Sequence, residues 1–406
     1  MRLLVSCFLL LPSTLYAQLT MEDFLRSAAE SSAIQAFDKQ NDFLESNPYK
    51  LPVINGLEFR TESNQLDLDR QDYALRLKPA NPWEVKRNKE YFQTYQQTLQ
   101  LDRQRELKNT LKTYYETIID WAYLDELKNL KQEENEIVKT SIEILEAQRF
   151  SNFFDANDYA ELKIDQVEKL VEQEELSFEE DAQRSKIEML YPSARNQVIS
   201  WTLGDLIPIE NIQFMIEDHP TVNGSGEVAY RQKKIELAQS EWALEKSNIN
   251  VGYLQAQYQD YRIEQDRKPW SIGLGITIPI FNPNKGDMAK RKLEVIEAES
   301  DLLDARNEQQ EGLALIEKKL QTLATRYHNL QNRLDNLDVP SLTANLQKIE
   351  SSNPITMVQL RGSLIKSRSI AARLKKEIYL AYIDYLWYSE LLQQQPFQNY
   401  LDPKFN

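Results

Sequence analysis

The chain has 406 residues, a formal net charge of -15, 41% hydrophobic and 27% charged residues, and only 10 glycines. This length allows two average domains or one elongated domain, and the composition is typical of amphipathic helices with broad solvated faces. The acidic balance excludes an ordinary nucleic-acid-binding protein, because such proteins carry a basic patch.

Residues 1–17 have the layout of a secretory signal peptide. Arg2 precedes an apolar run from Leu3 to Leu11, and cleavage is expected after Ala17. The single cysteine, Cys7, lies inside this segment, so the mature chain is expected to contain no disulfide. No later apolar run reaches the roughly 18 residues that a transmembrane helix needs.

The mature chain begins with one predicted helix over "LTMEDFLRSAAESSAIQAFDKQNDFLE" (19–45), with Thr20 as its N-cap and Glu22 and Asp23 in the first turn. A hairpin is predicted next, at about 56–79. Its two segments alternate apolar and charged residues on either side of a polar turn, which predicts one apolar face and one charged face.

A long helix is predicted from Pro82 to about Phe150, because this span contains neither glycine nor an internal proline. A second helix is predicted from about Tyr159 to Leu190. A heptad seam, with steps of four and three residues, marks the first helix as a coiled-coil partner. The seam consists of Leu107, Leu111, Tyr114, Ile118 and Trp121.

The same order of elements then recurs. A helix at about 228–248, a hairpin at about 249–281, a long helix and a last helix follow. A shift of about 201 residues brings "YALRLKPANP" over "LGITIPIFNP". We therefore expect two structural repeats, 18–195 and 196–406. The predicted fold class is mostly α with a small β part, built of long antiparallel coiled-coil helices with four strands per chain.

The strand within "KPWSIGLGITIPIFNPNKGD" has the strictest alternation. Its large apolar positions are Trp270, Ile272, Leu274, Ile276, Ile278 and Ile280. An isolated soluble hairpin is marginally stable, whereas a transmembrane strand places such a face in lipid. Four strands cannot close a barrel, and open edges are not tolerated in hydrocarbon. The chain is therefore expected to oligomerise, and we favour a trimer with twelve strands.

The opening helix "LTMEDFLRSAAESSAIQAF", the stretch "WSIGLGITIPIFNPNKGDMAKRKLEVIEAESDL" and "AYIDYL" at 381–386 resemble the TolC-type outer-membrane efflux protein family. The resemblance extends over nearly all of the mature sequence. It implies a trimer with a twelve-stranded barrel in the outer membrane of a Gram-negative cell and a periplasmic α-barrel. Its partners would be a periplasmic adaptor (membrane fusion protein) and an inner-membrane transporter, for which the channel is a passive exit duct.

The resemblance also places an adaptor-docking tip at the two helix turns. Its residues would be Arg149, Phe150, Asn152, Asp155, Asp158, Ser352, Asn353, Pro354 and Thr356. The first turn lacks the family's glycine and is one residue short, and Val358 stands where the family often has an aspartate. Ordinary helix capping and surface charge are an equal alternative for Arg149 and Asp158.

No motif for catalysis, a metal or a cofactor is present: Gly273 and Gly275 lack the third glycine of a dinucleotide loop, and His219 and His328 have no zinc-ligand neighbourhood. We therefore expect no enzyme and no cofactor. Two alternatives stay open, a periplasmic coiled-coil scaffold or adaptor outside the membrane and a family member used for protein secretion. The substrate and the inner-membrane pump cannot be deduced from the sequence.

Overall fold

The computed structural model describes residues 18–47, 51–63, 71–150, 154–218, 226–248, 251–259, 268–277, 284–337, 354–394 and 396–404, with the side chains of 354–358 left out. The predicted signal peptide, with Cys7, lies outside these residues. The elements, in chain order, are α1 Met21–Ser27, α2 Ser32–Ser46, β1 Ile54–Ser63, β2 Gln71–Pro79, α3 Pro82–Ala147, α4 Ala156–Leu190, α5 Ile209–Asp218, α6 Gly226–Ser247, β3 Gly252–Gln259, β4 Trp270–Ile276, α7 Lys285–Asp335 and α8 Pro354–Tyr388.

The observed elements confirm the predicted fold class, a mostly helical chain with four strands. The prediction of one continuous first helix is wrong. The Thr20 hydroxyl caps α1 by accepting a hydrogen bond from the Asp23 amide at 3.1 Å, but a short 3-10 turn follows and Ser31 is extended. The helix therefore restarts at Ser32 as α2. The helix α5 was not foreseen.

Two compact units divide the chain, and each contains segments from both predicted repeats. The first unit comprises Met1–Ser31, Leu107–Val222 and Gly312–Asn406. All five residues of the predicted heptad seam are buried in it. Phe24 packs on Tyr114, with ring centroids 4.6 Å apart, and on Trp201 at 5.3 Å. The Trp201 indole donates to the Leu19 carbonyl at 2.9 Å, so the start of α1 is fixed to this core.

The C-terminal segment completes the core of the first unit. Tyr400 and Leu401 are buried, and the Tyr115 hydroxyl donates to the Gln398 carbonyl at 3.1 Å while accepting from the Tyr400 amide at 3.2 Å. The Ile207 amide donates to the Leu401 carbonyl at 2.9 Å. Residues 398–401 are therefore an integral part of this unit.

A buried ion pair joins α3 to the end of α8. The Lys108 ammonium lies 2.8 Å from the Glu390 carboxylate, and their side chains are only 2% and 7% exposed. The Trp387 ring centroid is 4.1 Å from the same nitrogen. Glu390 has a φ of 62°, which reverses the chain direction just after α8. The turn and the ion pair together direct the C-terminal segment back over the core.

The second unit, Ser32–Glu106 and Asn223–Glu311, contains the sheet and the helices that precede and follow its strands. All neighbouring strands are antiparallel, in the order β1-β2-β3-β4. Asn81 fixes the exit from the first hairpin, because its side chain accepts from the Trp83 amide at 3.0 Å and donates to the Ser247 carbonyl at 2.7 Å. Both hairpins are thus joined into one sheet with defined helix connections.

Candidate functional site

The sheet carries an apolar face whose residues are aligned across all four strands. The register places Phe59 beside Leu75, Leu75 beside Ala256, and Ala256 beside Ile272. A second row contains Leu57, Leu77, Leu254 and Leu274. Because side chains alternate between faces along a strand, all of these residues belong to one surface.

This apolar face is exposed rather than packed against protein. Trp270, Ile272, Leu274 and Ile276 are at least 67% exposed, with Ile272 at 83%. Contiguous apolar patches on soluble proteins are normally small and often functional. The strand residues predicted to face lipid therefore lie on an uncovered apolar surface, and their contact with lipid remains a prediction. Ile278 and Ile280 lie outside the described residues.

Aromatic residues form a third row at the loop end of the sheet. Tyr73 pairs with Tyr258, and Tyr258 pairs with Trp270. The rings of Tyr258 and Trp270 are 4.9 Å apart. Aromatic residues at the end of an apolar strand face are typical of the membrane–water interface. The strand register groups Tyr258 with Tyr73 and Trp270 in this row.

The opposite face of the sheet is polar. Its central rows are Glu58, Arg76, Gln255 and Gly273, followed by Arg60, Ala74, Gln257 and Ser271. The second hairpin contributes no charged residue to these rows. One apolar and one polar face on four strands is the pattern of a sheet that separates lipid from water.

The turn between α3 and α4 is stabilised by side chains from both helices. Asp155 caps α4 by accepting from the Asn157 amide at 2.7 Å and from the Asp158 amide at 3.4 Å. The Tyr159 hydroxyl donates to Glu146 at 2.9 Å, and the Lys163 ammonium lies 3.1 Å from the same carboxylate. Asp155 is therefore the capping residue of α4, and the backbone amide of Asp158 is one of the groups that it caps.

The exposed residues of this turn are available to a partner. Phe150 is 100% exposed and Arg149 is also exposed. Asn152, Ser352 and Asn353 lie outside the described residues, as do the side chains of Pro354 and Thr356, although Pro354 begins α8. The docking role of all of these residues remains a prediction.

A groove of about 450 Å³ opens between α3, α4 and α8. The acidic residues of its wall outnumber the basic ones, with Glu134, Asp158, Glu161 and Asp165 against Lys366. Glu134 is buried and pairs with Lys131 at 2.8 Å and Lys169 at 3.3 Å. Asp165 in turn lies 4.0 Å from Lys169, so Asp158 and Glu161 are the acidic lining residues for which no ion pair is seen in the described part of the chain.

Glu146→Gln is expected to loosen the α3–α4 turn. Hydrogen bonds from Tyr159 and then Lys163 lower the pKa of Glu146, and the hydrogen bond to Glu146 raises the pKa of Lys163. The stabilisation by Glu146 is thus complete above its unfolded pKa of about 4.3 and is lost as the pH falls through its lower folded pKa. The stabilisation by Lys163 is complete below about 10.4 and is lost as the pH rises through its higher folded pKa.

Amide hydrogen exchange at pH 7 measures this effect. The amides of 156–159 should exchange a few-fold faster in Glu146→Gln and in Tyr159→Phe than in the parent chain. Glu143→Gln is the control, because Glu143 is an exposed residue of α3 for which no ion pair is seen in the described part of the chain. Equal exchange in all three variants would contradict the role of Glu146.

Within the described residues, no helix is both long and apolar enough to cross a membrane. The same part of the chain contains no group of histidine, cysteine and acidic side chains arranged for a metal ion.

Known structures resemble the chain over almost its whole length. Neither a protein-family model nor a curated protein matches the sequence. The outer membrane protein VceC of Vibrio cholerae has a TM-score of 0.67 at 10% identity, with 91% of this chain and 95% of VceC covered. The CmeC outer membrane channel of Campylobacter jejuni has a TM-score of 0.67 at 11% identity, with 95% and 87% covered. The open state of the MtrE outer membrane channel of Neisseria gonorrhoeae has a TM-score of 0.61 at 13% identity, with 95% and 91% covered.

The chain has the TolC-type outer-membrane channel fold. The helix–hairpin–helix order and the antiparallel four-stranded sheet match that fold, as the sequence resemblance predicted. CmeC and MtrE are outer membrane channels.

Proposed function

We propose that the protein is an outer-membrane channel, inserted through its four strands and active as a trimer. The observation that carries this proposal is the exposed apolar face, aligned in register across the sheet and opposite a polar face. Burying this face in hydrocarbon is favourable by roughly 25 cal/mol for each Å² removed from water. In water the same surface would favour aggregation.

Oligomerisation follows from the edges of the sheet. In the described residues β1 and β4 each pair on one side only, and unpaired backbone groups cost several kcal/mol each in hydrocarbon. Pairing β4 of one chain with β1 of the next removes these edges, and three chains give twelve strands. Eight strands would leave an interior filled by side chains, whereas twelve leave room for a channel.

Exposed apolar stripes on two helices support an assembly of several copies. On α4 the stripe comprises Ile164, Val167, Val171 and Phe178, and on α7 it comprises Leu293, Ile296 and Leu303. The spacing of three, four and seven residues places each set on one helix face. Helix packing between neighbouring chains would cover both stripes and build the periplasmic α-barrel.

The channel would be the passive exit duct of a tripartite efflux or secretion system, with energy supplied by an inner-membrane transporter. A periplasmic adaptor would bind the exposed turn around Arg149 and Phe150, and its helices would lie along the acidic groove that contains Asp158 and Asp165. Charge complementarity supports this choice, because the groove lining is predominantly acidic.

The native mass and location of the particle test the proposal. We expect the protein in the outer-membrane fraction, with a detergent-corrected light-scattering mass of about three chains, each 47.6 kDa before signal removal. A soluble periplasmic monomer or dimer would overturn the channel and favour the coiled-coil scaffold or adaptor. A membrane particle of a different chain number would refute the trimer alone.

A further inference from the structure

Three basic side chains surround one carboxylate on the polar face of the first hairpin. Glu58 lies 2.6 Å from Arg60, 3.2 Å from Lys78 and 3.9 Å from Arg76. We call these four residues the basic cluster. One carboxylate neutralises only one of the three cations, so the cluster retains two positive charges. Its side chains are between 16% and 45% exposed, so solvent reaches them.

The second hairpin holds Arg76 in a fixed position. The Gln255 amide oxygen accepts from Nε and Nη2 of Arg76 at 3.2 and 2.9 Å. The guanidinium lies over the Tyr253 ring, with its carbon 4.0 Å from the ring centroid. Stacking and hydrogen bonding at two nitrogens reduce the entropy that a flexible cation would lose on binding a ligand. A guanidinium has five N–H donors, so the bonds to Gln255 leave donors for a ligand.

A glycine makes room for this stack. A Cβ at position 275 would lie 2.4 Å from the Tyr253 ring, so a side chain there would displace Tyr253. Tyr253 and Gly275 are cross-strand partners. Because Gly275 has no side chain, the Tyr253 ring can occupy the position beneath the Arg76 guanidinium.

The nearest acidic row of this face lies further toward the loop end. Glu62 and Asp72 are paired there. At roughly 3.3 Å per residue, this row lies about 7 Å beyond Arg60 but about 13 Å beyond Arg76, and it is further still from Lys78. The Debye length is about 10 Å at 0.1 M salt. The acidic row therefore offsets the charge of Arg60, whereas the fields of Arg76 and Lys78 are largely screened from it.

We propose that the basic cluster is an anion-recruiting site in the channel lumen, which binds carboxylate and similar anionic groups of solutes in transit. This inference rests on the proposed channel function and deepens it by naming a substrate class. Three chains would place three fixed guanidinium groups around the lumen. Charged rings of this kind determine ion preference in pores, and an arginine matches the planar geometry of a carboxylate.

Ion selectivity of the purified full-length protein in planar lipid bilayers tests the site. The reversal potential in a KCl gradient gives the chloride-to-potassium permeability ratio. Arg76→Gln should lower this ratio about twofold or more, because it removes one cation per chain from a confined lumen. Arg76→Lys retains the charge and should restore most of the ratio. Lys78→Gln is an independent variant that leaves the Arg76 stack intact and should also lower the ratio.

Arg195→Gln is the matched control, because it removes one cation from a mostly exposed side chain in the other compact unit. The inference fails if both cluster variants form channels with the selectivity of this control. Absence of conductance from the unmodified protein would instead overturn the channel function itself. The anion site is supported if the chloride-to-potassium permeability ratio falls in Arg76→Gln and Lys78→Gln and is unchanged in Arg195→Gln.

Discussion

Replacing Ile272 by arginine is expected to remove the protein from the outer membrane. Ile272 is the most exposed of the large apolar residues of β4 and lies in the central apolar row beside Ala256. An arginine on the lipid face costs about 2–4 kcal/mol at the bilayer midplane. In a trimer this cost arises three times, about 6–12 kcal/mol in total, which is comparable to the 5–15 kcal/mol stability of a typical domain.

Ser271→Arg is the matched control for this substitution. Ser271 adjoins Ile272 in the same strand, but it lies on the polar face and pairs with Gln257. We expect Ser271→Arg to reach the outer membrane at near-parental levels, whereas Ile272→Arg is lost from that fraction. Sucrose-gradient separation of the membranes measures both. Equal levels of the two variants would mean that this apolar face does not contact lipid.

Lys108→Met is expected to destabilise the first compact unit by about 3–5 kcal/mol, because it leaves the buried Glu390 carboxylate without the Lys108 ammonium. The midpoint of urea unfolding, followed by circular dichroism at fixed protein concentration, measures the loss. Fixed concentration is needed because oligomerisation contributes to apparent stability.

The double variant Lys108→Met with Glu390→Met distinguishes the effect of an unpaired buried charge from the effect of altered side-chain packing. Replacing a buried pair by apolar residues of similar volume is often neutral or stabilising. The double variant should therefore recover most of the stability lost in Lys108→Met. Lys112→Met, at a half-buried position paired with Asp384 at 2.6 Å, should cost less. A double variant as unstable as the single one would show that the ion pair is not the cause.

Local patterns predicted most of the elements in this chain. The heptad seam that includes Leu111 and Tyr114 has the period of an α-helix, and the alternation from Trp270 to Ile276 has the period of a β-strand. The structure confirms a helix and a strand at these two places. Such patterns depend on neighbours within a few residues. The break at Ser31 escaped prediction because neither glycine nor proline marks it.

Contacts between distant segments were not accessible from the sequence. Lys108 follows the seam residue Leu107, and a lysine at such a position is usually expected on the solvated face of a helix. Its partner Glu390 lies 282 residues further along the chain. Pairing of β2 with β3 likewise joins the two hairpins across more than 170 residues. The Arg76–Tyr253 stack depends on that pairing, so the fixed guanidinium appeared only in the folded structure.

The place of the C-terminal segment in the first unit has a consequence for folding kinetics. The Tyr400 amide contacts Tyr115 across 285 residues of sequence, and the Leu401 carbonyl contacts the Ile207 amide. This core is therefore complete only after segments that are far apart in the sequence have come together. Contacts of such long sequence separation also form slowly. Closing such long loops costs chain entropy before the core contacts compensate for it, so the first unit is expected to fold more slowly than a helical bundle with local contacts.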